Sequence, residues 1–264
     1  DLSFLHVPQY VTKLNEIFLR YFVSVSAKRA DHLIANSEYT KQDIVDTYKV
    51  PENRVTVAYP GVDRKQFKPA SKSQIAKVRE AYGLEKPFIL YLGTLEPRKN
   101  IVSILKAYAS LENREDFNLV LAGKRGWMYG ELFKQVGELG IEEDVVFTGF
   151  VPDEDKPALL SAAEVFVYPS FFEGFGMPVA EAQACGTPVI TASVTSLPEA
   201  GGDAALYVDP YKTDELADSL RKLLGSSSLR EELSAKGAKH AKKFDWTVSA
   251  EKVISVFEGL GGRE

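Results

Sequence analysis

Two glutamates stand on either side of a Gly-Phe-Gly turn in the largely apolar stretch FFEGFGMPVAEAQACGTPVI, residues 171–190. They are Glu173 and Glu181, with seven residues between them. Pro178 suits the first turn of a helix, so the pattern predicts Glu173 in a loop and Glu181 within about the first turn of the following helix. A carboxylate only accepts hydrogen bonds, which suits it to sugar hydroxyls, while the amides of the turn suit a phosphate. The ordinary alternatives are a glutamate that balances a helix dipole and an exposed loop residue.

Two adjacent cations, Arg98 and Lys99, lie in the loop GTLEPRKN, residues 93–100, where a helix is predicted to begin. Positive charge is unfavourable at a helix N-terminus, and a bound anion reverses that effect. An arginine fork beside a lysine point charge therefore predicts a clamp for a diphosphate. The alternative is a solvated basic pair on a surface loop. Because Lys99 is in a loop, Lys99→Ala is expected to leave folding nearly untouched and to weaken nucleoside diphosphate binding by roughly 1.5–3 kcal/mol.

Short apolar runs alternate with helical patterns along the second part of the chain. The runs are PFILYLG (87–93), FNLVLAG (117–123), DVVFTGF (144–150), AEVFVYPS (163–170) and TPVITAS (187–193). Each is too apolar for burial on one face, which is typical of parallel strands covered by helices on both faces. The alternation predicts an α/β fold with a doubly wound sheet, and ligands bind at the carboxyl ends of the strands in such sheets. Gly93, directly after the first run, is expected to let another group approach the backbone.

Four parts of the chain follow from these patterns. Residues 1–62 predict a strand, a helix and a strand, too little for a large core of their own. Residues 63–83 predict a linker and an entry helix, and residues 84–245 a complete α/β domain. Residues 246–264 predict a last helix that packs back toward the N-terminal part.

The composition excludes several classes of protein. With 45% apolar and 26% charged residues, the chain has the composition of a globular protein. Its net charge of −5 argues against a nucleic-acid partner. No apolar run reaches the length of about 18 residues that a membrane span needs, and no signal peptide is recognisable. The single cysteine fits a reducing compartment, and three scattered histidines give no metal-ligand spacing. Because the chain begins at Asp1 without a methionine, we expect either a fragment of a longer protein or a chain that is only partly ordered.

The order of the motifs is similar to that of a known family. The segments LYLGTLEPRKN, LAGKRGW, PSFFEGFG with its E-x7-E pair, SLPEAGGDAALYVDP and FDW occur in this order. Together they resemble the donor-binding domain of retaining glycosyltransferases of family four, although each motif alone is weak. The resemblance covers nearly the whole chain. It implies a GT-B-type fold with a complete C-terminal Rossmann-like domain, a partial N-terminal α/β domain, and a nucleotide sugar in the cleft between them.

The resemblance also implies a role for each candidate residue. Arg98 and Lys99 would neutralise the diphosphate, Glu181 would accept from ribose hydroxyls, and Glu173 from hydroxyls of the transferred sugar. The implied catalytic set is Arg98, Lys99 and Glu173, and the implied donor-binding set is Gly93, Phe150, Val151, Gly174, Phe175, Gly176 and Glu181. The backbone around Phe150 and Val151 would hold the base. No metal and no cofactor are expected. Trp127 and Tyr129 would either border the mouth of the site or pack internally.

The implied activity is transfer of a hexosyl unit from a nucleotide diphosphate sugar to an acceptor hydroxyl, with retention of configuration. The acceptor would be a saccharide or a lipid-linked saccharide, as in polysaccharide biosynthesis. GDP-mannose is the first choice of donor over UDP-glucose, because DLSFLHVPQY and GKRGW resemble mannosyltransferases. The expected location is the cytoplasm, with peripheral contact at the inner face of a membrane through the rest of the acceptor-side domain.

Two alternatives stay open at this point. Most of the acceptor-side domain of the family has no counterpart in this sequence, so the chain alone is expected to bind donor and to transfer sugar poorly. It would then be a non-catalytic nucleotide-sugar-binding fragment or module. The other alternative is a different GT-B enzyme, such as a sugar-nucleotide epimerase or a phosphorylase.

Overall fold

The computed structural model describes residues 1–126 and 129–261, except the side chain of Tyr129. The strands are β1 (Leu33–Ala35), β2 (Val55–Val57), β3 (Phe88–Leu92), β4 (Asn118–Ala122), β5 (Val145–Gly149), β6 (Val165–Tyr168), β7 (Val189–Ala192) and β8 (Ala205–Val208). The helices are α1 (Ser3–His6), α2 (Lys13–Arg29), α3 (Glu38–Tyr48), α4 (Lys72–Ala81), α5 (Ile101–Ala109), α6 (Tyr129–Leu139), α7 (Lys156–Ala162), α8 (Met177–Ala184), α9 (Leu197–Gly201), α10 (Thr213–Leu224), α11 (Ser227–His240) and α12 (Trp246–Gly261). This alternation of strands and helices confirms the predicted α/β class.

The larger sheet has six parallel strands in the order β5-β4-β3-β6-β7-β8. Every residue of β3, β4, β6 and β7 is buried, which explains why these segments are largely apolar rather than alternating. Connections between parallel strands need a crossover, and helices supply it here. The predicted doubly wound sheet is therefore confirmed.

The strand order reverses between β3 and β6. From β3 the chain moves outward through β4 to β5, and it then returns to place β6 on the other side of β3. The chain after β3 and the chain after β6 consequently lead toward opposite edges of the sheet. Such a switch point is where doubly wound sheets bind ligands. The loop after β3 carries Arg98 and Lys99, and the loop after β6 carries Glu173.

The N-terminal part has a small core of its own. Its strands β1 and β2 pair in parallel, with α3 as the crossover between them. Ser37 caps α3 by accepting a hydrogen bond from the Thr40 N–H at 3.0 Å. Helix α12 returns to this part, where Lys252 Nζ donates to the Val57 carbonyl at 3.0 Å and the Ser249 hydroxyl donates to the Tyr59 carbonyl.

The structure differs from the expectations in one strand and in the N-terminal part, where helices α1 and α2 precede β1 and were not predicted. Strand β8 was not predicted, because the run ALYV has only four residues and two of them are partly exposed at the edge of the sheet. Within the described residues, no helix combines the length and the apolar character that a membrane crossing requires.

Candidate active site

A cluster of charged side chains lies at the switch point, with Glu173 at its centre. Lys99 Nζ donates to Glu173 Oε1 at 2.5 Å and to the Tyr168 hydroxyl at 2.9 Å. Arg98 lies 3.3 Å from Glu173 Oε2 and also pairs with Glu96 at 2.7 Å. The side chains of Lys99 and Glu173 are each only 10% exposed. The loops after β3 and β6 therefore meet in a largely buried ion-pair network.

Two expectations about this cluster are wrong. Neither Lys99 nor Glu173 is a surface loop residue, since both residues are 8% exposed. The expectation that Lys99→Ala leaves folding nearly untouched fails for the same reason. Removing the ammonium would leave the buried Glu173 carboxylate with only Arg98 to balance it, and an uncompensated buried charge is strongly destabilising.

The charges of the cluster shift one another's protonation. Burial alone would raise the pKa of Glu173, but the charges of Lys99 and Arg98 outweigh it and leave that pKa below its usual value. Burial lowers the pKa of Lys99, and the Glu173 carboxylate partly opposes this. For Arg98, burial is outweighed by Glu173 and Glu96, which raise its pKa. The carboxylate of Glu173 is thus held in its charged form.

Asn100 ties together the loops that form this end of the sheet. It adopts a φ of 59° and its side-chain amide donates to the Pro169 carbonyl at 3.2 Å and the Pro210 carbonyl at 2.7 Å. The Phe171 N–H in turn donates to the Arg98 carbonyl at 3.0 Å. An asparagine tolerates the left-handed conformation better than most residues do. These contacts fix the relative position of the loops after β3, β6 and β8.

A cavity of about 330 Å³ lies at the carboxyl ends of β3, β4 and β5, and no side chain of the charged cluster lines it. Four of the predicted donor-binding residues line it, namely Gly93, Phe150, Val151 and Glu181. The remaining lining residues are Leu92, Thr94, Gly123, Lys124, Lys156 and Pro178. Thr94, Lys124 and Lys156 were missed from the sequence, although Lys124 directly follows the apolar run of β4. Loops that are distant in sequence therefore build one concave site.

Glu181 lies in the second turn of α8, whereas the sequence suggested about the first turn. The helix has eight residues and begins at Met177. The interaction of a charge with the helix dipole falls off beyond the first turn, so dipole balance is a poor reason for this glutamate. Burial raises the pKa of Glu181 to about 7, against the opposing charge of Lys156. The side chain is a carboxyl group near its titration point on the wall of a cavity.

Phe150 and Val151, the residues expected to hold the nucleotide base, differ in exposure. Phe150 is 58% exposed, and Lys124 Nζ lies 4.8 Å from its ring centroid. Val151 is buried at 1% exposure, so only its main chain and a small part of its surface can contact a ligand. Position 93 also favours glycine for a structural reason, because a Cβ there would lie 2.9 Å from the Tyr91 hydroxyl.

The turn from Gly174 to Gly176 connects the charged cluster to α8. Among the hydrogen bonds of the described residues, none is donated by the main-chain N–H of Gly174, Phe175 or Gly176. Gly176 needs to be glycine because its φ is 108°. The Phe175 side chain is 3% exposed and lies 4.9 Å from Phe244 between ring centroids, so it packs internally. The amides of the turn are available donors, while the Phe175 ring anchors the turn.

The N-terminal part packs against the loop that carries Glu173. His6 stacks on Phe172 at 5.3 Å between centroids, and Tyr10 stacks on Phe171 at 5.6 Å. The Thr40 hydroxyl donates to the Gly174 carbonyl at 3.1 Å. These contacts were not predicted. Trp127 and the side chain of Tyr129, expected near the mouth of the site or in internal packing, lie outside the described residues.

Comparisons with known proteins identify families and relatives that this chain is similar to. The family model described as glycosyl transferases group 1 matches residues 74–240, and the one described as glycosyltransferase family 4 matches residues 3–66. The chain is 36% identical to O-antigen chain mannosyltransferase B of Escherichia coli, over 98% of this chain and 69% of that protein. It is 30% identical to the serotype-specific mannosyltransferase WbdA of Escherichia coli, over 88% of this chain and 29% of that protein.

A solved structure shares the fold. The crystal structure of Anabaena Alr3699/HepE in complex with UDP-glucose superimposes with a TM-score of 0.83, at 23% identity, over 95% of this chain and 69% of that chain. The identity is low enough that this likeness concerns the fold. The chain spans between about a third and two thirds of the length of these relatives.

Proposed function

The chain belongs to the group 1 glycosyl transferases, and from that membership we propose that it handles a nucleotide diphosphate sugar as donor. In the proposed reaction a hexosyl unit passes to an acceptor hydroxyl with retention of anomeric configuration. The observation that carries the proposal is the meeting of Gly93, Phe150, Val151 and Glu181 around one cavity, together with the Arg98–Lys99–Glu173 cluster in the loops that follow β3 and β6.

Each end of a nucleotide sugar has suitable partners in this arrangement. The base lies against Phe150 and the main chain of Val151, and the ribose hydroxyls donate to Glu181. Arg98, Lys99 and the amides of residues 174–176 receive the diphosphate. The transferred sugar donates hydroxyl hydrogen bonds to Glu173, whose carboxylate is held charged and can only accept.

The positive charge that would favour a diphosphate comes from the lysines that line the cavity and not from the charged cluster alone. In the cluster, Arg98 and Lys99 are balanced by Glu96 and Glu173, so these four side chains give no excess positive charge. Lys124 and Lys156 line the cavity and supply positive charge to it. Lys156 also pairs with the exposed Asp153 at 2.5 Å. The lysines that the sequence analysis missed therefore contribute to the electrostatic match for a diphosphate.

The chemistry follows from charge stabilisation. The bond between the anomeric carbon and the diphosphate oxygen breaks, and the negative charge that develops on the leaving group is stabilised by Arg98, Lys99 and the turn amides. A new bond forms from the acceptor oxygen to the anomeric carbon on the same face, and the acceptor proton passes to a phosphate oxygen. No side chain of the cluster needs to act as a general base in this sequence.

Mannose is the proposed hexose and GDP-mannose the proposed donor. Two relatives that are at least 30% identical are mannosyltransferases by name, and one of them acts on an O-antigen chain. A saccharide or lipid-linked saccharide acceptor fits these names. UDP-glucose, present in the HepE crystal, is the second candidate, and that likeness is at 23% identity.

Calorimetric titration of the chain with GDP-mannose, UDP-glucose, GDP and pyrophosphate tests the proposal. We expect GDP-mannose to bind most tightly and pyrophosphate to bind much more weakly, because it lacks the base, the ribose and the hexose. At 100 times its Kd, the preferred donor should add about 2.7 kcal/mol to the free energy of unfolding. Equal affinity for pyrophosphate and both nucleotide sugars would reduce the site to a general anion site and contradict the proposal.

A further inference from the structure

Thr195 has a backbone conformation that its residue type disfavours. Its φ is 56°, in the left-handed region that a β-branched residue rarely enters. The residue lies in the loop between β7 and α9, in the segment SVTSLPE. Disfavoured conformations persist where the surroundings fix them, and they concentrate at functional sites. The contacts of this loop therefore bear on what the conformation achieves.

The loop holds both main-chain polar groups of Glu173. The Glu173 N–H donates to Thr195 Oγ1 at 3.3 Å, and the Ser196 hydroxyl donates to the Glu173 carbonyl at 2.8 Å. Ser196 is fully buried, at 0% exposure. The backbone that carries the Glu173 carboxylate is thus held from β7–α9, independently of the ion pairs with Lys99 and Arg98.

The same loop is fixed to the N-terminal part through Glu199. The Glu199 carboxylate accepts hydrogen bonds from the N–H groups of Glu38 and Tyr39, both at 2.8 Å, in the first turn of α3. It also accepts from the Tyr59 hydroxyl at 2.7 Å. A carboxylate is favourable at a helix N-terminus, so this contact docks the loop onto α3. Residues 195–199 consequently contact Glu173 at one end and helix α3 of the N-terminal part at the other end.

We propose that Thr195 is a positioning residue for Glu173, and that residues 195–199 make the position of Glu173 depend on the docking of the N-terminal part. The inference rests on the proposed function for its consequence, because Glu173 is the group proposed to contact the transferred sugar. It assigns no contact with the donor to Thr195 itself. The disfavoured φ is the conformation that brings Oγ1 to the Glu173 N–H.

Three variants separate positioning from a purely structural role. Thr195→Gly removes the hydroxyl and relieves the backbone conformation, and this relief offsets part of the cost of the lost hydrogen bond and of the added glycine entropy, so its melting temperature should fall only slightly below that of the parent. Its affinity for GDP should stay unchanged, while its affinity for GDP-mannose should fall about fivefold, as expected for one lost hydrogen bond. Thr195→Ser keeps the hydroxyl and should restore GDP-mannose binding. Glu199→Gln, which weakens the docking onto α3, should reduce GDP-mannose binding more than GDP binding.

A second measurement distinguishes failure of this inference from failure of the proposed function. The shift of the urea midpoint caused by Lys99→Met reports the Lys99–Glu173 ion pair without any donor. We expect that shift to be smaller in the Thr195→Gly background, because a less fixed Glu173 pairs less well. An unchanged shift, or Thr195→Gly with the donor affinity of the parent, would overturn the positioning role. A parent that binds no nucleotide sugar would overturn the proposed function, and the urea midpoints would still decide the positioning of Glu173.

Discussion

Replacement of Lys99 by methionine tests whether the charged cluster is a buried ion pair. The variant keeps most of the side-chain volume and removes the ammonium, which lies 2.5 Å from Glu173 Oε1. Both side chains are only 10% exposed. Breaking a buried pair by removing one partner typically costs about 3–5 kcal/mol, because the other charge stays buried. Arg98, 3.3 Å from Glu173 Oε2, still balances part of that charge, so we expect the lower limit, about 3 kcal/mol.

The loss should depend on pH in a direction that the pKa of Glu173 fixes. In the parent this pKa lies below its ordinary value, so the stabilisation is present above the unfolded-state pKa and is lost as the pH falls through the folded-state value. The difference between parent and Lys99→Met should therefore be largest near neutral pH and shrink in acid. The double variant Lys99→Met, Glu173→Gln should recover much of the lost stability, because the buried carboxylate that the first substitution leaves without its lysine is then also removed.

Urea unfolding at pH 7.5 measures the effect, with Lys236→Met as the matched control. Lys236 makes an equally short contact with Glu232, 2.6 Å, but on the exposed face of α11. Exposed pairs contribute little, so the control should unfold close to the parent. If Lys99→Met also unfolds close to the parent, the Lys99–Glu173 pair does not carry a buried charge, and the reasoning about the cluster is refuted.

Three further outcomes are expected. Lys99→Met should weaken GDP binding by roughly 1.5–3 kcal/mol in calorimetric titration, and unchanged affinity would remove Lys99 from the diphosphate site. Because the pKa of Glu181 is raised to about 7, the unliganded fold should lose stability as the pH rises from about 4.5 to 7. Glu181→Gln should abolish up to about 3 kcal/mol of that loss, measured by urea unfolding at pH 5 and at pH 8. Phe150→Ala should leave the melting temperature nearly unchanged, because the ring is 58% exposed, and weaken GDP by about 1–3 kcal/mol if it stacks on the base; an unaltered GDP affinity would place the base elsewhere.

The fold was predictable where burial alone shapes the sequence. Strands such as Phe88–Leu92 are covered on both faces, so every residue is apolar and the segment stands out. Strand Ala205–Val208 escaped prediction because it lies at the sheet edge, where Leu206 and Tyr207 are partly exposed.

The sequence pointed to several residues of the candidate site but not to the contacts between them. Glu173, Arg98 and Lys99 carry chemistry that a local pattern reveals, but their pairing depends on β3 and β6 being neighbours, which the strand order decides. Lys124 belongs to a motif that had been noted, yet its place on the cavity wall depends on the same topology. The contacts of Thr195 and Glu199 join segments more than 20 residues apart and leave no local signal.

Titration of Glu173→Gln and Glu181→Gln with GDP and GDP-mannose tests the central claim, that one carboxylate serves each end of a nucleotide sugar. Glu181→Gln should weaken both ligands by about 1–3 kcal/mol, since both contain the ribose. Glu173→Gln should weaken GDP-mannose alone and leave GDP at or above its affinity for the parent, because Lys99 and Arg98 lose a competing carboxylate. If both variants bind both ligands as the parent does, neither glutamate contacts a sugar donor and the proposed function is contradicted.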